Sequence, residues 1–197
     1  YKSIKALKHS FTKISNSKIT NLLSKIEKSK KPLIIAGGGD WDKNGAKDLE
    51  HFANANKIPY AVSFRRQSIV NNNNNYYIGD LSTSVDPKLI NSVKESDLIL
   101  VVGARLGEMT TGGYTTIKPN QKNKIIHVYP DKKELGKVYK PIIGIKANSS
   151  IFSKMIKYKK IKNIKWERWS NSCRKNYIEY STPPKYSSEP DMGKIMP

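Results

Sequence analysis

Three short groups of residues carry the chemistry this chain can offer. Gly37, Gly38 and Gly39 stop an apolar run at 33–36. Ser63, Phe64, Arg65 and Arg66 end a second run, and Gly103, Ala104 and Arg105 end a third. Glycines at a strand end let a backbone approach a ligand, because no Cβ intrudes. A helix starting just beyond them offers unpaired N–H groups and a partial positive charge, which suit phosphate. Arginine adds a planar, permanently charged group for a phosphate or a flat ring. The pattern is of the nucleotide-binding kind without being the NAD fingerprint. The third glycine of that fingerprint would fall at Asp42, and arginines stand where a ribose-binding acid would end the second strand. The plainer readings are a simple turn at 37–39 and an ion pair between Arg105 and Glu108.

Other chemistry is missing from the sequence. There is no Gly-x-Ser-x-Gly elbow, no His-Glu-x-x-His and no Walker loop. His9, His51 and His127 stand apart from Cys and carboxylates at metal-ligand spacing, and His127 reads as core or rim.

The elements that must position these groups follow from periodicity. Ile19, Leu22, Leu23 and Ile26 predict a helix over 18–29. Residues 33–36, 58–63, 97–103, 124–129 and 141–145 read as buried strands, and 76–81 as a short strand or turn. Helices are predicted at 43–57, capped by Asp42 or Asn44, at 87–95, capped by Asp86, and at 149–158. Residues 71–75, all asparagine, read as a solvated loop. Strands alternating with helices five times give an α/β, Rossmann-like, doubly wound fold. Its sheet should be mainly parallel, of five to six strands, with helices on both faces and ligands outside the carboxyl ends of the strands. Trp166, Trp169, Cys173, Tyr177 and Tyr180 form one aromatic stripe on a last helix, read as packing.

Composition sets the outer bounds. The chain has 197 residues, with 36 Lys+Arg against 16 Asp+Glu and a formal charge of +20. Only five of the cations are arginine, and the lysines are spread along the whole chain. Lys, Asn, Ile and Tyr are all abundant, so the charge reads as compositional drift and no nucleic-acid partner is expected. One cysteine, no apolar run of membrane-spanning length and no signal core predict a cytoplasmic protein without a membrane partner.

Taken in order, several segments resemble the central domain of thiamine diphosphate-dependent enzymes, most of all the acetolactate synthase large subunit group. They are Lys-Pro-Leu-Ile-Ile-Ala-Gly-Gly-Gly at 31–39, Asn-Gly-Ala at 44–46, Lys-Ile-Pro at 57–59, Tyr-Ile-Gly-Asp-Leu at 77–81, Asp-Leu-Ile-Leu-Val-Val-Gly-Ala-Arg-Leu at 97–106 and Ile-Ile-His-Val at 125–128. The resemblance covers about residues 18–158. It implies a linker at 1–17, the central domain at 18–160, and a helix and linker toward a following domain at 161–197. It also implies pyrimidine- and pyrophosphate-binding domains that hold thiamine diphosphate and Mg2+ outside this chain, in a homodimeric or homotetrameric enzyme. That enzyme would decarboxylate a 2-keto acid such as pyruvate and join the carbanion equivalent to a second carbonyl. This chain alone would be inactive. In flavin-containing members FAD lies across the central domain. The matching positions here are Gly37, Gly38, Gly39, Ser63, Phe64, Gly79, Asp80, Leu81, Gly103, Ala104 and Arg105, and Arg65 adds a phosphate partner. The chain departs from the group at Gly107, Glu108 and Met109, at Tyr129 and at Asn148. FAD, ADP or no nucleotide therefore stay open. Two other readings stand beside this one: a stand-alone nucleotide-binding module, and a basic Rossmann-like domain that binds nucleic acid.

Overall fold

The computed structural model describes residues 14–119 and 124–183. His9, most of the expected N-terminal linker and the end beyond Pro183 lie outside the described residues. Six strands form one sheet: β1 (Pro32–Ala36), β2 (Tyr60–Ser63), β3 (Tyr77–Leu81), β4 (Leu98–Val102), β5 (Ile125–Tyr129) and β6 (Ile143–Lys146). Their order is β3-β2-β1-β4-β5-β6, and every neighbouring pair is parallel. The sheet is thus the doubly wound α/β sheet expected, with its order reversing between β1 and β4.

Alternation in the strands builds two cores. Ile34, Ala36, Leu100, Val102, Ile126 and Val128 face one side, with Leu49, Phe52 and Phe152 packed over them. Leu33, Ile35, Ile99, Val101 and Ile125 face the other, under Leu89 and Val93. Strands buried on both faces need continuous apolar runs, which is why β1 and β4 stood out in the sequence. The first face is covered by α1 (Asn16–Lys28), α2 (Gly45–Ala55) and α5 (Ser149–Ile156), and the second chiefly by α3 (Pro87–Glu95). Asp86 caps α3 as expected, its carboxylate accepting from Lys88 N at 2.8 Å.

Helices do not fill all five crossovers. Between β2 and β3 there is only a 3-10 turn (Gln67–Ile69), followed by the asparagine run. That run is more than a solvated loop. Asn71 and Asn74 side chains accept from Asn73 N and Tyr76 N, and Asn71 N donates to Glu50. These side-chain turns compete successfully with helix. Between β5 and β6 the chain also lacks an α-helix among the described residues. Between β4 and β5 the one helix among the described residues is the four-residue α4 (Glu108–Thr111).

Strand β2 starts at Tyr60, two residues later than expected. Lys57 takes a left-handed φ of 53°, Ile58 N is spent on Ala53 O at 2.9 Å, and Pro59 has no donor. The last helix, α6 (Glu167–Ser181), crosses the N-terminal ends of the strands. Trp169 Nε1 donates to Pro32 O at 3.2 Å, Ser170 Oγ to Lys57 O at 2.6 Å and Arg174 to Tyr77 O at 2.8 Å. Its aromatic stripe packs on this fold as far as Tyr177, which stands edge-on to Tyr77 at 5.0 Å, while Tyr180 is exposed. From there α6 runs along β3, and Tyr180 Oη donates to Ser84 O at 3.4 Å, beyond the carboxyl end of that strand.

Candidate functional site

The three glycines after β1 have different surroundings. A Cβ on Gly37 would overlap Ser63 Oγ and stand 3.0 Å from Ala104 Cβ. Gly38 has φ +77°, and a Cβ there would overlap the carbonyl of Gly103. Gly103 itself has φ +73°, and its Cβ would overlap Gly37 O and Ser149 Oγ. The close approach that these glycines permit is therefore between two loops of the protein, at the point where strand order reverses. Gly39 is exposed, and the nearest atom to its Cβ position is Arg66 Nη2 at 3.8 Å.

Carboxylates of the chain serve both nearby helix N-termini. Asp42 Oδ1 accepts from Asn44 N at 3.0 Å and Gly45 N at 2.7 Å, ahead of α2. Asp40 accepts from Ser149 N and Ser149 Oγ, each at 2.7 Å, at the start of α5. Asn148 Oδ1 takes the amides of Ser150 and Ile151. Ahead of α2 the expected Asp42 cap thus takes the N–H groups of Asn44 and Gly45, which are not free for a ligand. The positive end of the dipole is already matched by protein charge.

Arg65, Arg66 and Arg105, three of the five in the chain, stand at the carboxyl ends of β2 and β4. Arg65 is exposed, has φ 57° and lies 4.9 Å over the ring of Phe64. Arg105 is exposed, and its Nε is 3.6 Å from Glu134 Oε2. Tyr129 first, then the Glu134 charge, push its guanidinium further up and keep it cationic. The expected pairing with Glu108 is replaced by this one. The ion pair is solvated and weak, so Glu134 leaves Arg105 available.

A buried histidine fixes the loop that carries Arg105. His127 Nε2 donates to Ala104 O at 2.9 Å. A carbonyl only accepts, so that nitrogen holds the proton. Burial pushes the His127 pKa down, which favours the neutral ring. The loop contains Gly103 at φ 73° and buried Leu106 at φ 34°, so it needs such a brace. Ser63 and Ala104 are buried in the floor of this region. Asp80 accepts from Gln67 at 2.9 Å, Leu81 is core, and Gly79 faces Leu89 and Tyr177. The structure thus gathers the residues at 37–39, 63–66 and 103–105. Gly79 and Leu81 it puts in the packing of β3. Sequence reasoning missed Asp40, Ser149 and Glu134. Asp40 and Ser149 meet across 109 positions, which no local spacing signals.

Residues 19–156 match the family model for the thiamine pyrophosphate enzyme central domain. Among curated proteins, acetolactate synthase isozyme 2 large subunit of Escherichia coli (strain K12) is 27% identical over 123 residues, covering 62% of this chain and 22% of that protein. The acetolactate synthase large subunit of Pyropia yezoensis is 25% identical over 174 residues, covering 84% of this chain and 29% of that protein. 3D-(3,5/4)-trihydroxycyclohexane-1,2-dione hydrolase 2 of Bacillus cereus (strain ZK / E33L) is 27% identical over 97 residues, 49% of this chain and 15% of that protein. The chain spans under a third of the length of each of these curated relatives.

Proposed function

The chain belongs to the thiamine pyrophosphate enzyme central-domain family and is related to acetolactate synthase, and from that premise we propose that it is the central unit of an acetolactate synthase-like carboligase that holds ADP, or the ADP half of FAD, on its arginine rim. The observation that carries this reading is the placing of Arg65 and Arg66 after β2 and of Arg105 after β4, on either side of the switch point, where Asp40 and Asp42 already accept from backbone N–H groups at the adjacent helix N-termini. A diphosphate there would be held by guanidinium groups, with Gly39 leaving room beside Arg66. Phe64 offers a ring face next to Arg65. A bound flavin would supply a flat redox-active ring.

Thiamine diphosphate and Mg2+ do not fit these residues. Among the described residues no three His, Cys, Asp or Glu side chains gather where they could hold a metal ion. The proposal assigns both to the pyrimidine- and pyrophosphate-binding domains of the parent enzyme, a homodimer or homotetramer acting on a 2-keto acid. In it this chain positions a nucleotide and its neighbours and carries no step of the carbanion chemistry.

Thermal unfolding of the 197-residue chain with added nucleotide tests this. Ligand at about a hundredfold excess over its Kd adds about 2.7 kcal/mol. For a chain of this size that raises Tm by about 5–10 °C. ADP and FAD should both shift Tm, and adenosine should not. No shift at millimolar ADP would overturn the nucleotide site. With thiamine diphosphate, Mg2+ and pyruvate the chain should release no carbon dioxide, and turnover would overturn its assignment as a central unit.

A further inference from the structure

The irregular segment between α5 and α6 is pinned by its uncharged residues and displays its lysines. Ile161 and Trp166 are buried, and Ile164 packs against the same core. Asn56, itself buried, donates to Lys159 O at 2.9 Å and accepts from Ile161 N at 2.7 Å, while its carbonyl takes Trp166 Nε1 at 3.0 Å. Asn163 donates through its backbone and side chain to Glu27, at 3.3 and 3.1 Å. Between these pins Lys159, Lys160, Lys162 and Lys165 are exposed. Lys25 and Lys28, exposed on the last turn of α1, flank Glu27. None of these six has an ion-pair partner among the described residues.

The neighbouring carboxylates are already engaged. Glu27 holds Asn163, Asp48 pairs with Lys157 at 2.8 Å, and Glu167 pairs with Lys57 at 2.6 Å. At the upstream end Tyr158 is 73% exposed, which leaves an aromatic ring free for a partner. It stands edge-on to exposed His51 at 5.2 Å, with Lys157 Nζ 5.0 Å from its centroid. Four lysines thus follow one another along this ribbon, with Lys25 and Lys28 on the neighbouring helix.

We propose that this ribbon, with Tyr158 at its end, binds single-stranded nucleic acid without sequence preference. Like charges that outnumber the Glu27 carboxylate seated among them favour a polyanion, whose bound counterions are released on contact. The exposed ring favours nucleic acid over an acidic peptide, since every base has a face to stack. Through Asn56, Lys57 and Ser170 the ribbon is tied to the N-terminal end of β2, where α6 starts. The arginine rim lies at the other end, so the two readings stand or fall separately.

The test is fluorescence anisotropy of the 197-residue chain with a labelled oligothymidylate between about 50 and 200 mM salt. Binding at the low-salt end is expected. Its logarithm should fall against log salt with a slope of about −3, as for four neutralised phosphates. Replacing Lys159, Lys160, Lys162 and Lys165 together by Gln should weaken binding at least tenfold. Tyr158→Ala should weaken oligothymidylate at least about fivefold and leave inorganic polyphosphate unchanged. These residues are exposed, and an unchanged Tm certifies each variant's fold. Excess ADP should not displace the oligonucleotide. Absence of binding at low salt, or binding that the lysine variant leaves intact, would overturn the proposal. So would polyglutamate or phosphatidylserine vesicles binding as tightly as oligothymidylate with no effect of Tyr158→Ala.

Discussion

Replacing Gly103 by Ala isolates the contact on which the strand-end site is built. Two costs are separable in the structure. The first is conformational, because Gly103 has φ +73°. An L-residue there loses about 1–2 kcal/mol. The second is steric, because the new methyl group would overlap Gly37 O and Ser149 Oγ and stand 3.1 Å from Asp40 Oδ1. Backbone oxygen cannot swing away, so the two loops must part, at about 1–3 kcal/mol. The total is about 2–5 kcal/mol. Gly113 and Gly136 supply the control. Both have positive φ, at +62° and +89°, with nothing within 4 Å of a Cβ. Gly113→Ala and Gly136→Ala should cost only the conformational part, about 1–2 kcal/mol. Urea unfolding reads the difference, provided m is unchanged. If Gly103→Ala costs no more than the two controls, the loops do not touch as described and the packed switch point is wrong.

Other consequences are direct. Asn56→Ala would strand Ile161 N–H and the carbonyl of Lys159, at about 1–3 kcal/mol each, so urea unfolding should show a loss of at least ~2 kcal/mol; a loss under ~0.5 kcal/mol would contradict the pinning of the α5–α6 segment. Burial works against the Asp97 carboxylate, but Ser29 and the amides of Lys30 and Lys31 outweigh it and hold its pKa low. Its stabilisation is therefore present above the unfolded pKa of about 3.9 and lost as pH falls through the lower folded value. Asp97→Asn should flatten the acid limb of a pH–stability curve, and an unchanged limb would refute this. Burial pushes the Cys173 thiol up to about 11, so a thiol reagent near neutral pH should label it only on unfolding. Rapid labelling of the folded chain would show that α6 is not seated as described.

The legible parts of the fold were those whose physics is local. The Leu98–Val102 run, buried on both faces, and the Asp86–Pro87 helix start each carry their cause within a few residues. The asparagine run at 71–75 was legible as a loop, but its side-chain turns, fixed by Glu50 and Arg174, were not, since both partners lie far along the chain. Strand β6 starts two residues later than the expected 141 because its pairing with β5, Ile126 opposite Ile143, sets its register. The arginines of the candidate site could be read from strand ends. So could the Asp42 cap ahead of α2, but not the occupied start of α5, since Asp40 and its partner Ser149 are brought together only by the finished sheet.

The central claim is that a nucleotide diphosphate is held by arginine side chains and not by helix N-termini. Calorimetric titration of ADP into the chain and into the Arg65→Gln, Arg66→Gln, Arg105→Gln triple variant tests it most directly, with Asp40→Ala as the comparison. Charged hydrogen bonds to phosphate contribute about 1.5–3 kcal/mol each, so removing all three should weaken ADP binding by at least a hundredfold. Asp40→Ala, which opens the α5 N-terminus without touching the arginines, should leave a bound ADP in place. ADP binding that survives the triple substitution, or that is absent from the unaltered chain, would contradict the account.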